Sequence, residues 1–323
     1  MDIGKCLKKH KTFFTQFISA HNLSVIAVSG LASVLLMAAI IGRACKGSSD
    51  YGCFPRKQSE FLPAKKIDRQ LKKLEKLYSA DTENLSLLFE ISLLKFQKGE
   101  AFYPESIVAM EKARNGGYLD SRIFYYLGYM YQHNGLDNYA EMEYRRFLYN
   151  HPDDYDARML LGRSLYAQKK YAEAAKVYLS LSKSRKDDIV LLSNLVSSLW
   201  KSRQPYDDIL KHLSKSKGIK GKYAALYVQG EMLLEDSRYA EAVEYFKEAG
   251  KLEIAAGDLS LSILTAKALY KSGDYKSSKT IIDEISKTAP ENLEIKKLIK
   301  AIAEKEISKN SSTKKRKTNR HIK

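Results

Sequence analysis

The side chains able to do chemistry are thinly spread in this chain of 323 residues. Its six histidines are His10, His21, His133, His151, His212 and His321, and no two make a metal-ligand pair. The three cysteines, Cys6, Cys45 and Cys53, lack zinc-like spacing. Cys45 and Cys53 either stay thiols in a linker or pair in an oxidising compartment. The acid pairs Asp153–Asp154 and Asp207–Asp208 fall at inter-helix or turn positions, where capping of helix starts accounts for them. Neither a phosphate-binding glycine loop nor a nucleophile elbow is present. Trp200 is expected to pack, with a ligand-facing role as the second reading. The expectation is a protein that is not an enzyme, with no catalytic residue, cofactor or metal.

Charge is the other chemical resource. The formal net charge is +17, but residues 309–323 carry seven basic side chains and no acid, and more of the excess precedes Leu85. Little is left for residues 85–308, whereas a nucleic-acid-binding fold usually carries its basic face within the fold. A nucleic-acid-associated protein acting through the tail is therefore the weakest reading. The basic tail, residues 309–323 with "KKRK" within it, is expected to be disordered. It either stays solvated or lies on an anionic surface, where each basic residue near a membrane contributes about 1 kcal/mol.

Two kinds of element must position what chemistry there is. Residues 23–42, "LSVIAVSGLASVLLMAAIIG", carry no charge, and at about 1.5 Å per residue they match a bilayer core. They are expected to be a transmembrane helix behind a basic segment, 1–22, and ahead of a linker, 43–63. A cleaved signal peptide is the rival, but the apolar run exceeds the usual ~7–15 residues of a signal core. Basic residues nearly balance across the span, so the positive-inside rule decides little. A short basic segment before one span usually stays cytoplasmic, which places the body outside the cytoplasm.

The second element is a repeat. Shifting "YYLGYMYQHNGLDNYAEMEYRRFLYNHP", residues 125–152, by 34 residues superposes Leu127-Gly128 on Leu161-Gly162, Ala140 on Ala174 and Tyr144 on Tyr178. Two periods later come Gly230, Tyr239, Ala242, Phe246 and Ala249. A later copy has Ala266, Leu269, Gly273, Tyr275, Ile282 and Pro290. A fixed period made of two amphipathic helices marks a solenoid. These residues resemble the tetratricopeptide repeat family, in units 85–117, 121–154, 155–188, 223–256 and 259–292. Unit 189–222 is degenerate, with Val196 in the small-residue slot. The fold class expected is all-α: a right-handed superhelical solenoid of antiparallel helix pairs over 64–308, with a capping helix at 293–308. Gly128 and Ala140 should sit where paired helices approach closely, and Gly135 at the turn.

The resemblance implies protein recognition along the face lined by first helices. The positions it points to are Tyr125, Tyr129, Arg163, Tyr166, Tyr227, Glu231, Lys267 and Tyr270. Tyrosine and arginine are common interface anchors. Family members that clamp chaperone tails use asparagine in slots that here hold Tyr129, Arg163, Ser197, Glu231 and Lys267, so that activity is not implied. The function expected is a non-enzymatic, membrane-anchored scaffold whose protein partner is unknown. The alternative is an accessory or assembly subunit of a cell-envelope enzyme or transport complex.

Overall fold

A computed structural model describes residues 54–318. Segments 1–22 and 23–42 and most of the linker lie outside the described residues. Among the described residues, 54–318, no helix is long and apolar enough to cross a membrane. The described residues form fourteen α-helices and no strand.

The chain divides at Arg69 into two units, residues 1–69 and 70–323. In the first, a short 3-10 turn at Gln58–Glu60 is tied by the Glu60 carboxylate, which accepts the Arg56 N–H at 2.8 Å. Helix α1 (Ala64–Ala80) contributes residues to both units.

In the second unit the helices come in pairs: α2 (Leu85–Lys98) with α3 (Tyr103–Asn115), and α4 (Arg122–His133) with α5 (Asp137–Asn150). Next are α6 (Tyr155–Ala167) with α7 (Tyr171–Ser182), and α8 (Ile189–Lys201) with α9 (Asp207–Lys215). Last are α10 (Ile219–Glu235) with α11 (Tyr239–Gly250), α12 (Leu259–Ser272) with α13 (Tyr275–Ile285), and α14 (Leu293–Thr318). Each second helix packs on its own first helix and, α5 to α6 and α11 to α12 for example, on the next pair. The first helices α4, α6, α8, α10 and α12 also touch in succession, so they share one continuous face.

Starts and turns repeat with the period. Asp154, Asp188 and Asp258 each cap a first helix, accepting the backbone N–H three residues on at 2.9–3.1 Å. Two of these caps also receive a hydrogen bond from the preceding pair or near it: Tyr155 Oη to Asp188 at 2.8 Å and Tyr223 Oη to Asp258 at 2.5 Å. Asp207 and Asp208 do not cap; they lie in the first turn of α9, where the helix dipole favours acids. The turn after a first helix holds a left-handed residue at Gly135 (φ 72°), Lys169 (64°), Arg203 (56°) and Ser237 (62°).

Close packing within pairs follows the small residues. A Cβ added to Gly128 would stand 2.7 Å from the Tyr144 ring. At Gly162 it would stand 2.4 Å from Tyr178, and at Gly230 2.4 Å from Phe246. Ala140, Ala174 and Ala242 are fully buried across the same contacts. Where serine replaces alanine, its hydroxyl is satisfied across the pair: Ser278 Oγ donates to the Ala266 carbonyl and Ser106 Oγ to the Ser92 carbonyl, both at 2.7 Å.

At the end of the array Ile295, Leu298 and Ile302 of α14 bury against Ala266, Ile282 and Ile285, whereas Leu293 and Ile299 are exposed. The helix also continues to Thr318 instead of ending at Ser308. Residues 309–318 contain no glycine or proline to stop it, and lysine and arginine are good helix formers. The remainder of the tail, 319–323, lies outside the described residues.

Candidate functional site

The face formed by first helices is not uniform. At α2–α4 it is filled by rings: Phe96 meets Tyr103, Tyr126 and Tyr129 at centroid distances of 5.5, 4.8 and 5.6 Å, and His133 stands edge-on to Tyr103 at 5.2 Å. Burial pushes the Tyr103 phenol up to about 12. Tyr129 is therefore half-buried among rings of the neighbouring pair. Tyr125 is not on the face at all. It is 3% exposed, and its ring turns onto α5, edge-on to Tyr144 and Phe147. The expectation for Tyr125 is corrected on that ground: helical position fixes where a side chain starts, and packing decides where the ring goes.

From α6 to α10 the face opens into a cleft of about 350 Å³ lined by Arg163, Tyr166, Asn194, Ser197, Trp200 and Glu231, among others. Arg163, Ser197 and Glu231 stand one repeat apart on α6, α8 and α10, and Tyr166 and Trp200 are related by the same step. A neighbouring recess of about 370 Å³ shares Glu231 and adds Lys267 and Lys271 from α12 and Tyr239 from α11. The structure thus brings Arg163, Tyr166, Glu231 and Lys267 into one run of surface. Tyr227 lies beside it, half-buried against Phe246 and Tyr223, with its phenol pushed up to about 12 by burial. Tyr270 lines neither recess and packs edge-on to Tyr275 at 5.3 Å.

The charges in the cleft differ in kind. Glu235 is already paired: Lys201 Nζ donates to its carboxylate while standing 4.7 Å above the Trp200 ring. Glu231 has no hydrogen-bond or ion-pair partner among the described residues, and burial holds its carboxyl above the ordinary value of 4.5. Arg163 is exposed and likewise forms no ion pair among them. The buried Asn194 Nδ2 has no hydrogen-bond partner among them either. A half-buried carboxylate and a buried amide nitrogen, both without partners among the described residues, are costly at one place unless something pairs them.

Asn194 and Trp200 were not among the expected site residues. Carrying the 34-residue step from Tyr166 into the degenerate unit would have found Trp200. Trp200 does pack, against Val196, Val228 and Met232, and its other side lines the cleft. The described histidines serve local structure: His133 lies 2.8 Å from Glu100, His151 Nε2 2.7 Å from Ser121 Oγ, and His212 2.9 Å from the Lys186 carbonyl.

Two segments match models of the tetratricopeptide repeat, residues 140–188 and 233–302. No curated protein matches the sequence. Solved structures share the fold at low identity. A tetratricopeptide repeat protein from Parabacteroides merdae aligns at 13% identity and TM-score 0.58, covering 76% of this chain and 96% of that one. The APC/C hetero-tetramer Cut9–Hcn1 aligns at 12% identity and TM-score 0.50, covering 84% and 52%. The Naa15/Naa10 complex bound to HypK aligns at 17% identity and TM-score 0.40; the match spans 37% of that chain and 74% of this one. The chain carries tetratricopeptide repeats, in an all-helical solenoid of the tetratricopeptide kind.

Proposed function

We propose that the chain is a non-enzymatic scaffold, anchored in a membrane through residues 23–42, whose repeats bind a protein partner along the first-helix face. Proteins built of these repeats generally mediate protein–protein interaction. The observation that carries the reading is the cleft from α6 to α10, where Arg163, Tyr166 and Glu231 meet Trp200. A recess walled by Tyr166, Tyr178 and Trp200 and carrying polar groups of both charge signs suits a peptide segment. The uncharged run at 23–42 supports the anchor, and the repeat body is proposed to face away from the cytoplasm.

The test is crosslinking in intact cells followed by identification of captured proteins. Arg163→Ala, Tyr166→Ala and Lys267→Ala combined should lose the partner while helicity is unchanged; a folded triple variant that keeps it sinks the groove. Thiol labelling from outside the cell, after reduction, should reach Cys53 and spare Cys6. The reverse pattern overturns the orientation.

A further inference from the structure

We infer that the cleft between α6, α8 and α10 receives a lysine or arginine side chain of an extended partner segment, its cation on Glu231 and its backbone on Asn194. This rests on the protein-binding reading of the same face and adds the chemistry of the partner.

The inference follows from which groups the fold has left open. Glu231 and Glu235 line the cleft, and among the described residues only Glu235 is paired. Lys201 neutralises Glu235, so a further cation gains little there. Glu231 is half-buried, and no lysine, arginine or histidine among the described residues reaches it as an ion pair. An incoming cation recovers part of the cost of burying Glu231, which an anion would raise. Arg163 does not reverse this preference. Its guanidinium is exposed and remains hydrated, so an acid placed on it behaves as a rim charge, affecting encounter more than affinity.

The walls fit the rest of such a side chain. Tyr166 and Trp200 stand one repeat apart and offer ring surface to an aliphatic stem or a guanidinium plane. Lys201 above Trp200 shows that this ring already accommodates a cation on one side. Asn194 Nδ2, buried and unpartnered among the described residues, supplies a donor for a carbonyl of the same segment. Donor, carboxylate and aromatic wall together fit one extended chain bearing a basic residue.

The chain's only tryptophan reports the site directly. The full chain is titrated with short acetylated, amidated peptide pools carrying lysine or arginine at one fixed position among neutral residues. Matched pools carry norleucine or citrulline there, or glutamate. Trp200 emission should change saturably with the basic pools, and the norleucine, citrulline and glutamate pools should bind about tenfold more weakly or worse. Glu231→Gln should remove that discrimination, each titration being referred to the variant's own free-protein emission, and Asn194→Leu should weaken all pools alike. Equal binding of basic and neutral pools overturns the inference, as does preference for the glutamate pool or absence of a saturable change. A shift of Trp200 emission on deleting residues 309–323 also overturns it, because the chain's own tail would then be the occupant. Loss of the inference leaves the groove reading standing if Arg163, Tyr166 and Lys267 still prove necessary for partner capture. If those three are dispensable, the groove reading itself fails.

Discussion

The pair α6/α7 and the pair α8/α9 solve the same packing problem in opposite ways. In α6/α7 the small residue lies inside the pair, where Gly162 lets the buried Tyr178 ring lie against the α6 backbone. In α8/α9 the equivalent slot holds Val196, fully buried with Val228 and Met232 of the next pair. The glycine reappears at Gly221, at the start of α10, where an added Cβ would stand 1.9 Å from the Ser216 carbonyl oxygen and 2.3 Å from that of Leu213. Close approach has thus moved from within a pair to the junction between pairs. Helix α9 shrinks to nine residues while α10 grows to seventeen. The cleft opens on this irregular pair, so the difference is also a difference between scaffold and site.

The contrast breaks most severely at Gly221. A methyl group there meets backbone atoms, which cannot swing aside as a side chain does. Gly221→Ala should cost about 3 kcal/mol or more, read as a lowered urea midpoint. Because repeats couple mainly to neighbours, hydrogen exchange should rise first at α9 and the start of α10. A loss below about 1 kcal/mol would mean that the junction can shift and that the two pairs differ less than their geometry implies.

Within the regular pair the obstacle is a ring. Gly162→Ala should cost about 1–3 kcal/mol. Tyr178→Leu in the same background should recover part of it, giving a coupling energy of at least about 0.5 kcal/mol in a double-mutant cycle. Val196→Gly should also destabilise, by about 1–3 kcal/mol, since it empties a filled slot. If Val196→Gly were neutral, the slot in α8 would still prefer a small residue and the opposition would collapse.

These contacts separate what the residues disclosed from what they concealed. Gly128, Gly162 and Gly230 opposite Tyr144, Tyr178 and Phe246 could be read directly, because only a small residue facing a large one fills such a gap. Tyr125 could not be placed, since its repeat position is that of a surface residue but Tyr144 and Phe147 draw its ring inward. Asn194 was hidden, and Trp200 was read as ligand-facing only second to packing, for another reason: Val196 and Pro205 break the pattern in their unit, yet α8 keeps its register. The cation proposed for the cleft was hidden as well, because Lys201 and not the cleft itself decides which of Glu231 and Glu235 is left unpaired among the described residues.

The turns extend the comparison at smaller energy. Gly135 announces a left-handed residue, but Lys169, Arg203 and Ser237 adopt the same conformation without the residue that favours it. Lys169→Gly, Arg203→Gly and Ser237→Gly should each stabilise by about 0.5–1 kcal/mol, the relieved strain being partly offset by a freer unfolded chain. Urea midpoints check this. If Arg203→Gly alone failed to stabilise, the irregular pair would have a turn whose strain is relieved by contacts that the regular pairs lack.

The smallest effect is the one that separates site from scaffold. The Glu231 carboxyl titrates above its ordinary value because burial disfavours the charged form. A carboxyl that binds its proton more tightly folded than unfolded adds stability at low pH, fully present below the unfolded value. That contribution is lost as pH rises through the folded value, so at pH 7 the charged Glu231 is a net burden on the fold. Glu231→Gln keeps the shape and removes the charge. It should raise stability at pH 7 by less than about 1 kcal/mol, with the difference from the parent narrowing as pH falls toward 4.5. Thermal melts of both proteins across that range decide it. Glu141 provides the contrast: although burial opposes it, hydrogen bonds from Lys170, Arg145 and Gln168 hold its carboxyl down at about 2, so Glu141→Gln should destabilise at pH 7. One carboxylate is retained because the fold pairs it. The other is unpaired among the described residues, and a gain in stability on its removal would mark it as kept for something outside the fold.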